Sequence, residues 1–169
     1  MPVGQGDFTV QVLGYPVRCS VTGDGPPILL VHGLGASGVA WRDTAHSLAE
    51  RYRVYTPDLL GHGDSGKPEI VYDLDNGVRF ICGLLDVLGE RNAVLVGNSM
   101  GGVMALKTAL DYPDRVNKLV LVNSVGLGRE LSLPIRLASL PLIGEFLEGP
   151  WPGGTRALLK HVFYDTGFA

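Results

Sequence analysis

The sequence predicts an α/β fold, a doubly wound and mostly parallel sheet, and three observations predict it. Short apolar runs alternate along the chain with stretches in which apolar residues recur at helical spacing. The runs 27–31, 93–96 and 119–122 are unbroken by polar residues, as strands covered on both faces are. Each run ends in a turn-rich or glycine-rich stretch. The loops 33–38 and 58–66, the turn 97–101 and the segment after Asn123 are therefore expected at the carboxyl ends of the strands. In such sheets that is where ligands bind.

Taken in order, Phe8, Val10 and Val12 alternate with polar residues, and so do Val17, Cys19 and Val21 after the Gly14-Tyr15-Pro16 break. That pattern is an antiparallel hairpin with one wet face. The run 27–31 is a covered strand and opens into His32-Gly33-Leu34-Gly35-Ala36-Ser37-Gly38. Trp41, Ala45, Leu48 and Ala49 repeat at helical spacing, and 53–56 is a short strand that stops at Pro57-Asp58. Val78, Ile81, Leu85 and Leu88 mark a second helix, for which Asp75 is the expected N-cap. Strand 93–96 leads through Gly97-Asn98-Ser99-Met100-Gly101-Gly102 into a third helix, closed by Tyr112-Pro113-Asp114, and 118–123 is a further strand. After Asn123 the texture changes. An apolar stretch broken by Pro134 and Pro141, the loop 149–154 and an amphipathic run 156–163 read as short helices over the crevice. This divides the chain into a core, residues 1–124, and a helical segment, residues 125–169.

The turn at Ser99 organises the rest. G-x-S-x-G between a buried strand and a helix is a nucleophile elbow. A tight turn strains the serine backbone, so its neighbours must be small. The bend lifts the hydroxyl clear of the sheet, and the helix that starts there aims its amides and positive dipole end at a reacting oxygen.

Composition bounds the partners. The chain has 169 residues, is 46% hydrophobic and 18% charged, and carries a net charge of −3. It is globular in composition, and nothing basic in it recommends nucleic acid. Cys19 and Cys82, lone thiols without metal-ligand spacing, fit a reducing cytoplasm and read as core residues. No metal or cofactor site is expected, and no apolar run is long enough to span a bilayer.

The chain resembles the α/β-hydrolase family in four motifs that agree in order and spacing: His32-Gly33-Leu34-Gly35, the stretch 58–65, Gly97-Asn98-Ser99-Met100-Gly101-Gly102, and Tyr112-Pro113-Asp114-Arg115-Val116. The match covers about residues 8–125. The Ser-Met-Gly-Gly elbow and the early Trp41 look most like the branch of meta-cleavage-product C–C hydrolases and related esterases. Serine at the elbow argues against the epoxide hydrolases and haloalkane dehalogenases, which use a carboxylate there. The resemblance implies Ser99 as nucleophile, with the Met100 and Leu34 amides as oxyanion-hole donors. It implies a small-molecule substrate with an ester, thioester or activated C–C bond. His32, in this resemblance, braces the oxyanion loop formed with Gly33 and Gly35. His62 and Asp58 read as loop-holding residues. Asn98 either shapes the pocket or supports the elbow, and Trp41 is either pocket wall or core packing.

In the family an acid and then a histidine follow the serine in chain order. Here His161 alone follows Ser99, inside the helical segment. Asp111 and Asp114 flank a helix end, Glu130, Glu145 and Glu148 belong to the segment 125–169, and Asn123-Ser124 stands where some relatives carry the acid. Domains of this kind commonly need about 200–250 residues. The expectation is therefore a fragment: a hydrolase core lacking its last two strands, with a partial cap. The outer strand 118–123 would then invite self-association. The alternative is an inactive short member acting as a binding or regulatory module.

Overall fold

The computed structural model describes residues 5–125. The expected cap lies, beyond Val125, outside the described residues. Six strands form one sheet: Gly6–Val12 (β1), Tyr15–Thr22 (β2), Pro27–Val31 (β3), Arg53–Pro57 (β4), Ala93–Asn98 (β5) and Val116–Val122 (β6). Their order across the sheet is β1-β2-β4-β3-β5-β6. β1 and β2 pair antiparallel, and β2 pairs antiparallel with β4. β3 runs parallel to both β4 and β5, and β5 runs parallel to β6. The reversal of order around β3 is the topological switch point at which α/β sheets leave a crevice.

The helices are Arg42–Leu48 (α1), Leu74–Leu88 (α2) and Met100–Asp111 (α3). Side chains of β3 alternate between two apolar clusters, as a period-two strand must. Leu29 and Val31 join Ile81, Leu84 and Leu85 of α2 and Met104 and Ala105 of α3. Ile28 and Leu30 join Trp41 and Ala45 on the other face. Both faces of the central strand are thus covered, and its uninterrupted apolar run has this cause. Cys19 is fully buried in the first cluster, and burial pushes its thiol up to about 12, so it stays protonated at neutral pH.

Two local details differ from the sequence reading. The first helical stretch opens as a 3-10 turn, Gly38–Trp41, before α1. The N-cap of α2 is Asp73, whose carboxylate accepts the Asn76 amide at 2.8 Å. Asp75 instead occupies the first turn, where a carboxylate still favours the positive end of the helix dipole.

Candidate active site

Ser99 lies between the end of β5 and the start of α3, with φ 51° and ψ −116°. A non-glycine residue there is strained by about 1–3 kcal/mol, so the surroundings must hold it. They do so from several sides. The Ser99 amide donates to Val122 O at 3.1 Å, and Ser99 O accepts the Gly102 amide at 3.0 Å. The Asn98 side chain also donates to Val122 O, at 3.1 Å. It therefore ties the end of β5 to the end of β6.

The glycines of the motif each answer a close approach. A Cβ at Gly97 would collide with the Gly101 backbone, and one at Gly101 would collide with Val31 O and His32 O. At Gly102 it would stand 2.5 Å from Ser124 Oγ. Backbone cannot yield as a flexible side chain can, so Gly97 and Gly101 exclude any larger residue, while at Gly102 the Ser124 side chain would have to move. The result seats the first turn of α3 directly on the end of β3. The Met100 and Gly101 amides precede the first intrahelical bonds and have no backbone acceptor among the described residues.

The loop after β3 reaches the same place. A Cβ at Gly33 would lie 3.1 Å from Ser99 Cβ and 3.2 Å from Asn98 Oδ1. Gly33, Asn98, Ser99 and Met100 thus come together, and Leu34 is next in the loop, with its side chain exposed. Gly35 follows with φ 71°, the left-handed conformation that a turn back requires of glycine. Trp41 belongs to the apolar cluster on the α1 face of the sheet.

His32 is buried, and both of its ring nitrogens are engaged. Nδ1 donates to Gly33 O at 2.8 Å, and Nε2 accepts the Leu59 amide at 3.0 Å. That pairing requires the neutral Nδ1–H tautomer. Burial, opposed by the bond to Gly33, holds its pKa below the ordinary histidine value. His62 stacks edge-on against His32, with ring centroids 5.2 Å apart, and approaches Leu60 O at 3.2 Å. His46 lies exposed on α1. His161, the fourth histidine, lies outside the described residues.

Asp58 is almost fully buried and collects donors from three segments. Oδ1 accepts the Gly38 amide at 2.7 Å and Oδ2 the Asp64 amide at 2.9 Å, while Arg18 Nη1 stands 3.5 Å from Oδ1. The sequence pointed to a residue holding its own loop. It gave no sign of the bond to Gly38, which lies twenty residues upstream. Among the described residues no group of three His, Cys, Asp or Glu side chains is placed to hold a metal ion, and no helix is long and apolar enough to cross a membrane.

The sheet order, the strained serine and the glycine contacts define an α/β-hydrolase elbow. Comparison with known proteins agrees, because the alpha/beta hydrolase fold profile matches residues 26–145. The chain belongs to the α/β-hydrolase fold family. It is 40% identical over 137 residues to an uncharacterized protein of Mycobacterium tuberculosis, covering 79% of this chain and 39% of that protein. It is 42% identical over 131 residues to the 2-hydroxymuconate semialdehyde hydrolase of a Pseudomonas strain, covering 74% and 45%. Among solved structures it is similar to the meta-cleavage product hydrolase of Pseudomonas fluorescens. That match has a TM-score of 0.81 at 31% identity, over 95% of this chain and 58% of the other. Solved epoxide hydrolases also share the fold, one from Mycobacterium thermoresistibile with a TM-score of 0.70 at 29% identity, over 79% of this chain and 43% of that one. The chain spans about half the length, or less, of the curated relatives it matches.

Proposed function

We propose that this chain carries the nucleophile and the oxyanion-binding elements of a serine hydrolase acting on an ester, thioester or activated C–C bond. The observation that carries the reading is Ser99 at a strained strand-to-helix turn. Beside it lie the unengaged first amides of α3 and the Gly33 loop. In this reading the Ser99 hydroxyl oxygen attacks the substrate carbonyl carbon as a base takes its proton. The oxygen that gains the electron pair is met by the Met100 and Leu34 amides. One oxyanion-hole donor is worth about 10²–10³ in rate, and backbone amides supply it without titrating or reorganising. Collapse expels the leaving group, which takes the proton from the base, and water then releases the acyl group by the same steps in reverse. A serine at this position, rather than a carboxylate, favours the chemistry named for the Pseudomonas C–C hydrolases over that of the epoxide hydrolases.

The base is supplied from outside residues 5–125. His32 has both nitrogens committed, and His62 and His46 are respectively held in a turn and displayed on α1. The same observation favours the second reading, a family member without turnover that serves as a binding or regulatory module.

Hydrolysis of p-nitrophenyl butyrate by the protein separates the two. The first reading expects Ser99→Ala to lower the rate by about 10³-fold or more, toward what binding and oxyanion contacts alone retain. Equal rates in the two proteins contradict it. His161→Ala then tests the one histidine that follows Ser99: loss places the base at His161, and full retention at enzyme-like rates places it at another residue.

A further inference from the structure

We propose that Asp58 is a positioning residue for this reaction, fixing the far end of the oxyanion loop through the Gly38 amide. The proposal rests on the reading of Ser99 and the Leu34 amide given above. Its basis is how the 33–38 loop is held. At its start, His32 donates to Gly33 O and accepts the Leu59 amide. At its end, the Gly38 amide donates to Asp58 Oδ1 at 2.7 Å in a buried setting. Both holding partners, Leu59 and Asp58, belong to the single turn that follows β4. Between the two ends the loop has one internal backbone bond, the 3.3 Å contact of the Ala36 amide with Gly33 O. The place of the Leu34 amide therefore follows from where the two ends are pinned.

A carboxylate is the group this site requires. Two backbone amides converge on its two oxygens, the Arg18 guanidinium stands 3.5 Å away, and Asp58 itself is 2% exposed. Asparagine can accept from Gly38 or from Asp64, but its NH2 group then faces the other amide donor to donor. The surroundings are shaped for the purpose. Gly63 wraps the carboxylate so closely that a Cβ there would collide with it, and Gly38 passes Thr56 O with room for no side chain, a Cβ standing 2.5 Å away. Arg18 is itself held by Asp7 at 2.9 Å and by Ser20 Oγ at 2.9 Å, so the cation beside Asp58 is fixed too.

The misplacement of one positioned group by about 1 Å can cost about 10²-fold in rate. Asp58→Asn and Asp58→Ala are therefore expected to lower kcat on p-nitrophenyl butyrate by about 10-fold or more, with KM within about twofold. Affinity for a trifluoromethyl ketone, whose adduct places an oxyanion in the hole, should fall in parallel with kcat. A merely structural role would lower the melting temperature but leave kcat and the ketone affinity of the folded fraction unchanged, and that result overturns the proposal. If neither variant folds, hydrogen exchange in the unaltered protein decides: the Gly38 amide should be protected and the Leu34 amide open. Rapid exchange at Gly38 overturns the proposal. Failure of the functional reading looks different, since Ser99→Ala would then match the unaltered protein in the same assay and the role of Asp58 would fall with it.

Discussion

Ser99 concentrates the cost of the site in one residue. Its φ of 51° and ψ of −116° are tolerated because β6, α3 and the neighbouring glycines hold the turn from all sides. Glycine adopts that conformation freely, although it gains more freedom than serine in the unfolded chain, by about 0.4–1 kcal/mol. Strain of about 1–3 kcal/mol exceeds that gain. Ser99→Gly is therefore expected to raise unfolding stability by about 1 kcal/mol while abolishing activity, measured by urea denaturation; a loss of stability would show that the turn is relaxed. His32 makes a second expectation. Its pKa is depressed in the folded state, first by burial and further by His62, so the unfolded chain binds the proton more readily. The stability it secures is complete above its unfolded value near 6.5 and is lost as pH falls from there through the folded pKa. Denaturation midpoints should fall between pH 7 and pH 5, and His32→Gln should flatten that slope. Asp7 and Asp24, whose pKa values are lowered, act only in more acid solution. An unchanged slope in His32→Gln would mean that the histidine titrates alike folded and unfolded.

At the scale of elements, the parts that could be read from sequence were those with a local cause. The β3 run is apolar because both faces are covered, and Gly97 and Gly101 are glycines because backbone lies where a Cβ would be. What escaped had no local signature. Asp73 and Asp75 stand two residues apart and look equally suited to cap α2; only the geometry of entry selects Asp73. The Asp58 bond to Gly38 depends on where two distant loops meet, and the support of Ser99 by Val122 depends on strand order. Trp41 is apolar at helical spacing whether it lines a pocket or a core, and its cluster places it in the core. The outer strand yields an expectation at this scale. β6 is at one edge of the described sheet, and Val120 and Val122 are 45% and 40% exposed. Such an edge invites pairing with another chain. The 169-residue chain is expected to elute as an oligomer in size-exclusion chromatography, and Val120→Lys to shift it toward monomer. A sharp monomer peak for the unaltered chain contradicts this.

At the scale of the molecule, four strand ends deliver one constellation. β5 presents Ser99, β3 presents the Gly33 loop, β4 presents the turn that pins that loop, and β6 buttresses the elbow. Parallel strands make this convergence possible, because each ends on the same side of the sheet. A nucleophilic Ser99 should be open to covalent trapping. An alkyl fluorophosphonate loses fluoride as the serine oxygen bonds to phosphorus, leaving a mass that peptide mass spectrometry can place. One adduct per chain is expected, on the peptide containing Ser99, and none in Ser99→Ala. An adduct on another residue, or equal labelling of the Ser99→Ala protein, would contradict it.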